Sequence, residues 1–285
     1  VFGVTGMLGR AVAAECRRRG WPALAVGHGQ GDITNPATAS ALAATFRPEL
    51  VVNCAAFTRV DECEQQRAQA FAVNGDAVAH VAAAARSVAA RLLQVSSDYV
   101  FDGTATSPYR EDTATAPLSV YGAAKLRGEH LALHYERATV VRASWLFGPG
   151  GPNFVATMLK LSAQGQPLRV VSDQVGCPTY TPFLARALCD LALRNVRGLV
   201  HYRNRDAVSW HGFATAIVDR WRRFEGLPAL AIEAVTTAEF PRPAARPAYS
   251  VLDVERFEAA VGRRVEPWDW GLATYLDLVC HRRHG

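Results

Sequence analysis

Three glycines near the start of the chain constrain its fold more than any other feature. Gly3-Val4-Thr5-Gly6-Met7-Leu8-Gly9 has the spacing GxxGxxG, between an apolar Val1-Phe2 and an alanine-rich stretch over 11–19 that ends at Gly20 with Pro22 beyond. Such a loop turns a strand into a helix. The first glycine permits the tight turn, the second lets main-chain N–H groups approach a pyrophosphate, and the third lets the helix pack closely on the sheet. The partial positive charge at the helix N-terminus favours phosphate there. Gly3, Gly6 and Gly9 therefore predict a dinucleotide site. Opening at Val1 without a Met, the chain reads as entering its first strand after that strand's initial residues.

Beyond the glycine loop, strands and helices alternate. Strands are expected at 23–26, 50–55, 91–96 and 139–144, with helices at 37–46, 65–74, 77–88 and 119–135. Strands that are apolar on both faces and separated by helices predict an α/β fold, a doubly wound parallel sheet of Rossmann-like type. After Gly148 the pattern loosens through Pro149-Gly150-Gly151-Pro152. The expected division is a dinucleotide-binding domain over 1–148, with 183–198 returning to it. A smaller, irregular C-terminal substrate lobe would take 149–182 and 199–285.

Composition removes several classes. With 49% hydrophobic and 20% charged residues the chain is globular rather than disordered. No apolar run approaches the roughly 20 residues of a membrane span, and no signal-peptide pattern opens the chain. A net charge of +5 is scattered, so no nucleic-acid partner is expected. Six cysteines without a CxxC pair or zinc spacing predict no metal site and a reducing, cytoplasmic setting.

The chemistry concentrates further along. Tyr121-Gly122-Ala123-Ala124-Lys125 places a phenol and an ammonium one helical turn apart on one face. Reducing a ketone needs hydride on carbon and a proton on oxygen. A phenol with pKa near 10 is a reluctant acid–base group at neutral pH, and a neighbouring ammonium makes it competent. Ser96-Ser97-Asp98 ends a predicted strand, where active sites of such sheets lie. A hydroxyl there can donate to a substrate carbonyl. Ser97 is the preferred donor and Ser96 stays open. The second strand ends at Val26-Gly27-His28 without the carboxylate typical of NAD sites, and Arg10 and His28 suit a 2′-phosphate. NADPH is the expected cofactor, with NADH possible. Asp32 and Ile33 would flank the adenine, or Asp32 would cap the following helix.

Ser97-Asp98-Tyr99-Val100-Phe101-Asp102-Gly103, then Pro117-Leu118-Ser119-Val120-Tyr121-Gly122 and Lys125, resemble the dTDP-4-dehydrorhamnose reductases, members of the extended short-chain dehydrogenase/reductases. Gly31-Asp32-Ile33-Thr34-Asn35-Pro36, Val52-Asn53-Cys54-Ala55-Ala56-Phe57-Thr58, Asp173-Gln174-Val175-Gly176-Cys177-Pro178 and Arg246-Pro247-Ala248-Tyr249 extend the likeness over nearly the whole chain. The resemblance implies NAD(P)H-dependent reduction of the C4 ketone of dTDP-4-dehydro-6-deoxy-L-mannose to dTDP-L-rhamnose. Ser97 would polarise the ketone, Tyr121 donate the proton, and Lys125 tune Tyr121 and hold the cofactor ribose. Gly6, Met7 and Leu8 would contact the pyrophosphate, and Ala55, Ala56, Phe57 and Thr58 would line the cofactor. Asp98 and Trp145 would face the sugar. Ala11 stands where magnesium-bridged dimers of the family carry a glutamate, which implies no metal and a monomer. Other readings remain: a reductase of another dTDP-4-keto sugar, an epimerase retaining its cofactor, or a non-catalytic regulatory subunit of the methionine adenosyltransferase type.

Overall fold

The computed structural model describes residues 1–284. Strands Leu50–Asn53, Arg91–Ser97, Ala138–Ala143 and Gly198–Tyr202 lie side by side in that order, every pair parallel. Phe2 bridges in parallel to Asn53 on one side and to Val26 on the other, extending the sheet at that edge. Adjacent residues along each strand go to opposite cores. Val52, Leu93 and Val141 pack with Leu8, Val12 and Leu188, from helices Met7–Arg18 and Thr181–Leu193. Val51, Leu92 and Val140 pack with Ala39 and Val81, from helices Pro36–Phe46 and Ala77–Ser87. A parallel sheet sandwiched in this way must be apolar on both faces, which is why its strands carry continuous apolar runs.

The path of the chain positions the site. From Phe2 it moves outward to Val26, then returns to the other side of Phe2 at Leu50–Asn53. That reversal opens a crevice beyond the carboxyl ends of these strands, where α/β folds bind ligands.

Several boundaries differ from expectation. The first helix begins at Met7 rather than 11, so Gly9 is already helical. The strand expected at 23–26 reduces to a bridge at Val26, because pairing extends only over Val1–Gly3. The helix expected at 65–74 is broken at Gln66 (φ −110°, ψ 48°), leaving helices Val60–Gln65 and Arg67–Phe71. A π-helical turn, Ala72–Asp76, then carries the chain into Ala77–Ser87.

The return to the sheet expected at 183–198 continues through Tyr202, since Gly198–Tyr202 is a sheet strand. Val254, Phe257 and Val261 belong to the same core. The remaining C-terminal chain is more regular than expected. Strands Leu168–Val171 and Ile232–Val235 pair in parallel. With helices Phe154–Ser162, Trp210–Phe224 and Trp268–His284 they enclose a separate core around Phe147, Phe213, Ile217 and Leu272. Among the described residues no helix is long and apolar enough to cross a membrane.

Candidate active site

The three loop glycines do different physical work. Gly3 has φ +80°, and a Cβ there would lie 2.6 Å from Ala55 N. A Cβ on Gly9 would lie 2.2 Å from the Gly3 carbonyl oxygen. Both are therefore demanded by the fold itself. Gly6 is not: its φ is −84°, and a Cβ would only touch Gly3 O at 3.4 Å. Gly6 is the N-cap of helix Met7–Arg18, and no side chain caps the helix there. The first N–H groups of that helix have no acceptor within it and face the crevice mouth. Such a helix end can hold a pyrophosphate.

Other cofactor candidates divide between side chain and main chain. Leu8 and Ile33 are buried in the two sheet cores, so only their backbones are available to a ligand. Met7 is half-buried against Gly151 of the loop that overlies it. Exposed Arg10 turns back, its Nε donating to Thr5 O at 3.3 Å, while His28 is exposed. Asp32 does not cap a helix: its Oδ1 accepts from Thr34 N at 2.9 Å and Thr34 Oγ1 at 2.7 Å. The cap of helix Pro36–Phe46 is Asn35, because a side chain must directly precede the first turn to reach its N–H groups. Ala55 and Ala56 are half-buried at the carboxyl end of Leu50–Asn53, Phe57 is buried and Thr58 is exposed.

Asn74, which sequence reasoning missed, fixes this segment. Its Oδ1 accepts from Phe57 N at 2.8 Å and its Nδ2 donates to Phe57 O at 2.9 Å. The π-helical turn aims that amide inward, and a lone asparagine within a helical run gives little warning of it. Asn53 does similar work one strand end away, donating to Gln94 Oε1 at 2.8 Å and accepting from Ala55 N at 3.1 Å.

Ser97, Asp98, Tyr121 and Lys125 come together at the carboxyl end of Arg91–Ser97. Ser119 caps helix Val120–Leu133 by accepting from Gly122 N, which sets Tyr121 in the first turn and Lys125 one turn on. Gly122 permits this, since a Cβ would lie 2.1 Å from Tyr99 O. Ser97 Oγ donates to Asp98 Oδ1 at 3.0 Å and accepts from Tyr99 N at 3.2 Å, and of the two serines it is the one whose hydroxyl acts to lower the Tyr121 phenol. Ser96 Oγ is buried without a partner. The structure thus brings Ser97, of the two serines, to Tyr121.

Electrostatics follow from burial. Desolvation pushes Asp98 up to about 6, against the Ser250 and Ser97 hydroxyls, and its Oδ2 has no hydrogen-bond partner. Desolvation and then the Asp98 charge raise the Tyr121 phenol above its ordinary value. Desolvation lowers Lys125 to about 8, opposed by Glu129 and Cys54, and its Nζ donates to Val95 O at 2.6 Å.

Trp145 stands at φ +46° and stacks on Trp210, centroids 3.5 Å apart and planes within 6°. Gly176 makes room for it, because a Cβ would come within 2.4 Å of the indole. The proline-rich 241–247 loop is tied to helix Val60–Gln65 at Asp61, which accepts from Arg242 Nη2 at 2.7 Å, Arg246 Nη1 at 3.0 Å and Ala244 N at 3.2 Å. A cavity of about 630 Å³ lies at the amino-terminal side of the sheet among Trp21, Leu24, Phe46 and Leu50, and shares no residue with this cluster. No group of three His, Cys, Asp or Glu residues suited to a metal occurs among the described residues.

Comparison with known proteins agrees with this geometry. The family profile described as RmlD substrate binding domain matches residues 1–280. A dTDP-4-dehydrorhamnose reductase of Streptomyces griseus is 41% identical over 289 aligned positions, covering 99% of this chain and 94% of its own. The crystal structure of a dTDP-4-dehydrorhamnose reductase from Clostridium acetobutylicum superposes with a TM-score of 0.92 at 37% identity, covering 98% of each chain. One from Bacillus anthracis, solved in complex with NADP, gives 0.90 at 32% identity and 96% coverage of each.

Proposed function

The chain belongs to the RmlD family of dTDP-4-dehydrorhamnose reductases, and from that premise we propose that it reduces the C4 ketone of dTDP-4-dehydro-6-deoxy-L-mannose to dTDP-L-rhamnose, with NADPH preferred over NADH. The observation that carries this reading is the convergence of Ser97, Tyr121 and Lys125 at one strand end, beside an uncapped helix N-terminus.

The bound dinucleotide supplies the hydride. Gly6 and the N–H groups of Met7 and Leu8 would hold its pyrophosphate, which would account for a glycine that the fold alone does not require. Ala55, Ala56, Phe57 and Thr58 line its path, held in place by Asn74. Arg10 and His28 suit a 2′-phosphate, since Val26-Gly27-His28 carries no carboxylate.

Tyr121 donates the proton to the ketone oxygen. Its raised pKa keeps the phenol protonated before reaction, the state an acid needs. As negative charge develops on oxygen, the Ser97 hydroxyl turns its proton from Asp98 to that oxygen, and the Lys125 charge stabilises the phenolate that forms. Asp98 and Trp145 border the sugar, and Trp210 holds the Trp145 plane. In this reading the protein acts as a cytoplasmic monomer on a nucleotide-sugar, and Ala11 offers no ligand for a bridging magnesium.

The test is oxidation of NADPH, and separately of NADH, with the 4-keto sugar generated in situ and the product identified. Formation of dTDP-L-rhamnose supports the proposal. Absence of oxidation by a folded, dinucleotide-binding chain overturns it.

A further inference from the structure

Lys125 and Lys160 are the chain's two lysines among 31 Lys and Arg residues. Lys160 is exposed, whereas Lys125 is buried, 4% exposed, with a main-chain carbonyl as its hydrogen-bond acceptor. A buried ammonium tends to discharge, because low dielectric disfavours its charged form. The proposed reaction needs that charge, so something in the protein must oppose the tendency.

The opposing group lies one turn further along the same helix. Glu129 is 1% exposed and receives both arms of Arg142, Nε at 2.9 Å and Nη2 at 2.7 Å. Residues four apart on a helix are neighbours on one face, which sets the carboxylate beside Lys125. Arg142 lies in the adjacent strand Ala138–Ala143, stacks over Phe101 at 4.9 Å, and meets His201 Nε2 at 3.3 Å. His201 is held far below its ordinary value, at about 3, by desolvation and then by Arg142, so it brings no second positive charge. The other group acting on Lys125, the Cys54 thiol, is neutral, because desolvation raises it to about 12. Glu129 is thus the one negative charge acting on Lys125 among the described residues.

We propose that Glu129 is a positioning residue for catalysis: its carboxylate, clamped by Arg142, holds Lys125 in the cationic form on which Tyr121 depends. The proposal rests on the reductase reading for its consequence, and on the buried Lys125–Glu129–Arg142 arrangement for its physics.

Having two lysines makes a direct test possible. Lysine-selective isotopic labelling of the full chain, read by NMR across pH, resolves Lys125 from Lys160, with Lys160 as internal control. In Glu129→Gln the Lys125 midpoint should fall by about one pH unit while Lys160 stays in place. The alkaline limb of kcat/KM should fall with it, which loss of packing alone would not produce. Glu129→Gln leaves Arg142 buried without its carboxylate, so Glu129→Gln combined with Arg142→Gln is the second variant, expected to shift Lys125 in the same direction. An unmoved Lys125 midpoint in a folded variant overturns the proposal. A wild-type chain that fails to oxidise NADPH, yet whose Lys125 moves on substitution, overturns the reductase reading and leaves the coupling supported.

Discussion

Two buried polar clusters share the Val120–Leu133 helix, and they are built to opposite standards. The lower one, Glu129 with Arg142 and His201, is closed. The guanidinium bonds the carboxylate twice, and His201 Nδ1 meets Tyr109 O at 3.1 Å. The upper one, with Ser97, Asp98, Tyr121 and Lys125, is open. Asp98 Oδ2 and neighbouring Ser96 Oγ have no partner, and three titratable groups are displaced from their ordinary values. Buried polar groups without partners are costly, and folded proteins rarely keep them without a reason. The difference separates a part whose interactions end within the protein from a part whose interactions end on a ligand.

The sharpest way to test that separation is Tyr121→Phe. The open cluster should lose function without losing stability. Turnover should fall by about 100- to 10,000-fold, the usual worth of a positioned acid. Dinucleotide affinity and melting temperature should stay near wild type. A Phe variant with undiminished turnover would remove Tyr121 from the reaction.

The closed cluster should lose stability as well. Arg142→Ala leaves Glu129 buried with its salt bridge gone, at side-chain exposures of 4% and 1% in the intact pair. Breaking such a pair costs about 3–5 kcal/mol, because the remaining charge is uncompensated. Denaturant unfolding should show that loss. A loss under about 1 kcal/mol would mean that the pair contributes little, as exposed pairs do.

The two clusters were also unequally legible in the sequence. Tyr121 and Lys125 are four residues apart on one helix and Ser97 ends a strand, so periodicity alone places them. The glycine loop was legible for the same reason, since its spacing encodes a turn. Glu129, Arg142 and His201 come from a helix and two strands, and only the order of the sheet brings them together. Asn74 escaped because a π-helical turn has no spacing of its own, and the cap alternative for Asp32 failed because Asn35 takes that cap. The boundary at 199 failed for a related reason. Gly198–Tyr202 is a short run whose membership of the sheet depends on its pairing with Ala138–Ala143.

Asp98→Asn gives the smallest effect and separates the clusters most finely. Asp98 is 2% exposed and raised to about 6, above its ordinary carboxylate value. The folded state therefore holds the proton more tightly than the unfolded chain does. That favourable contribution is complete at low pH and is lost as pH rises through about 6. At pH 8 the native protein carries a desolvated carboxylate with one oxygen unpartnered, and the amide removes that burden. Asp98→Asn should therefore be more stable than wild type by about 3 kcal/mol at pH 8, a rise in melting temperature of about 6–12 °C. The difference should vanish near pH 4. Turnover should fall in the same variant, because the charge that raises Tyr121 is gone. A stability gain equal at both pH values would show that packing, not charge, is responsible. A loss of stability at pH 8 would place Asp98 with the closed cluster and remove the contrast between the two.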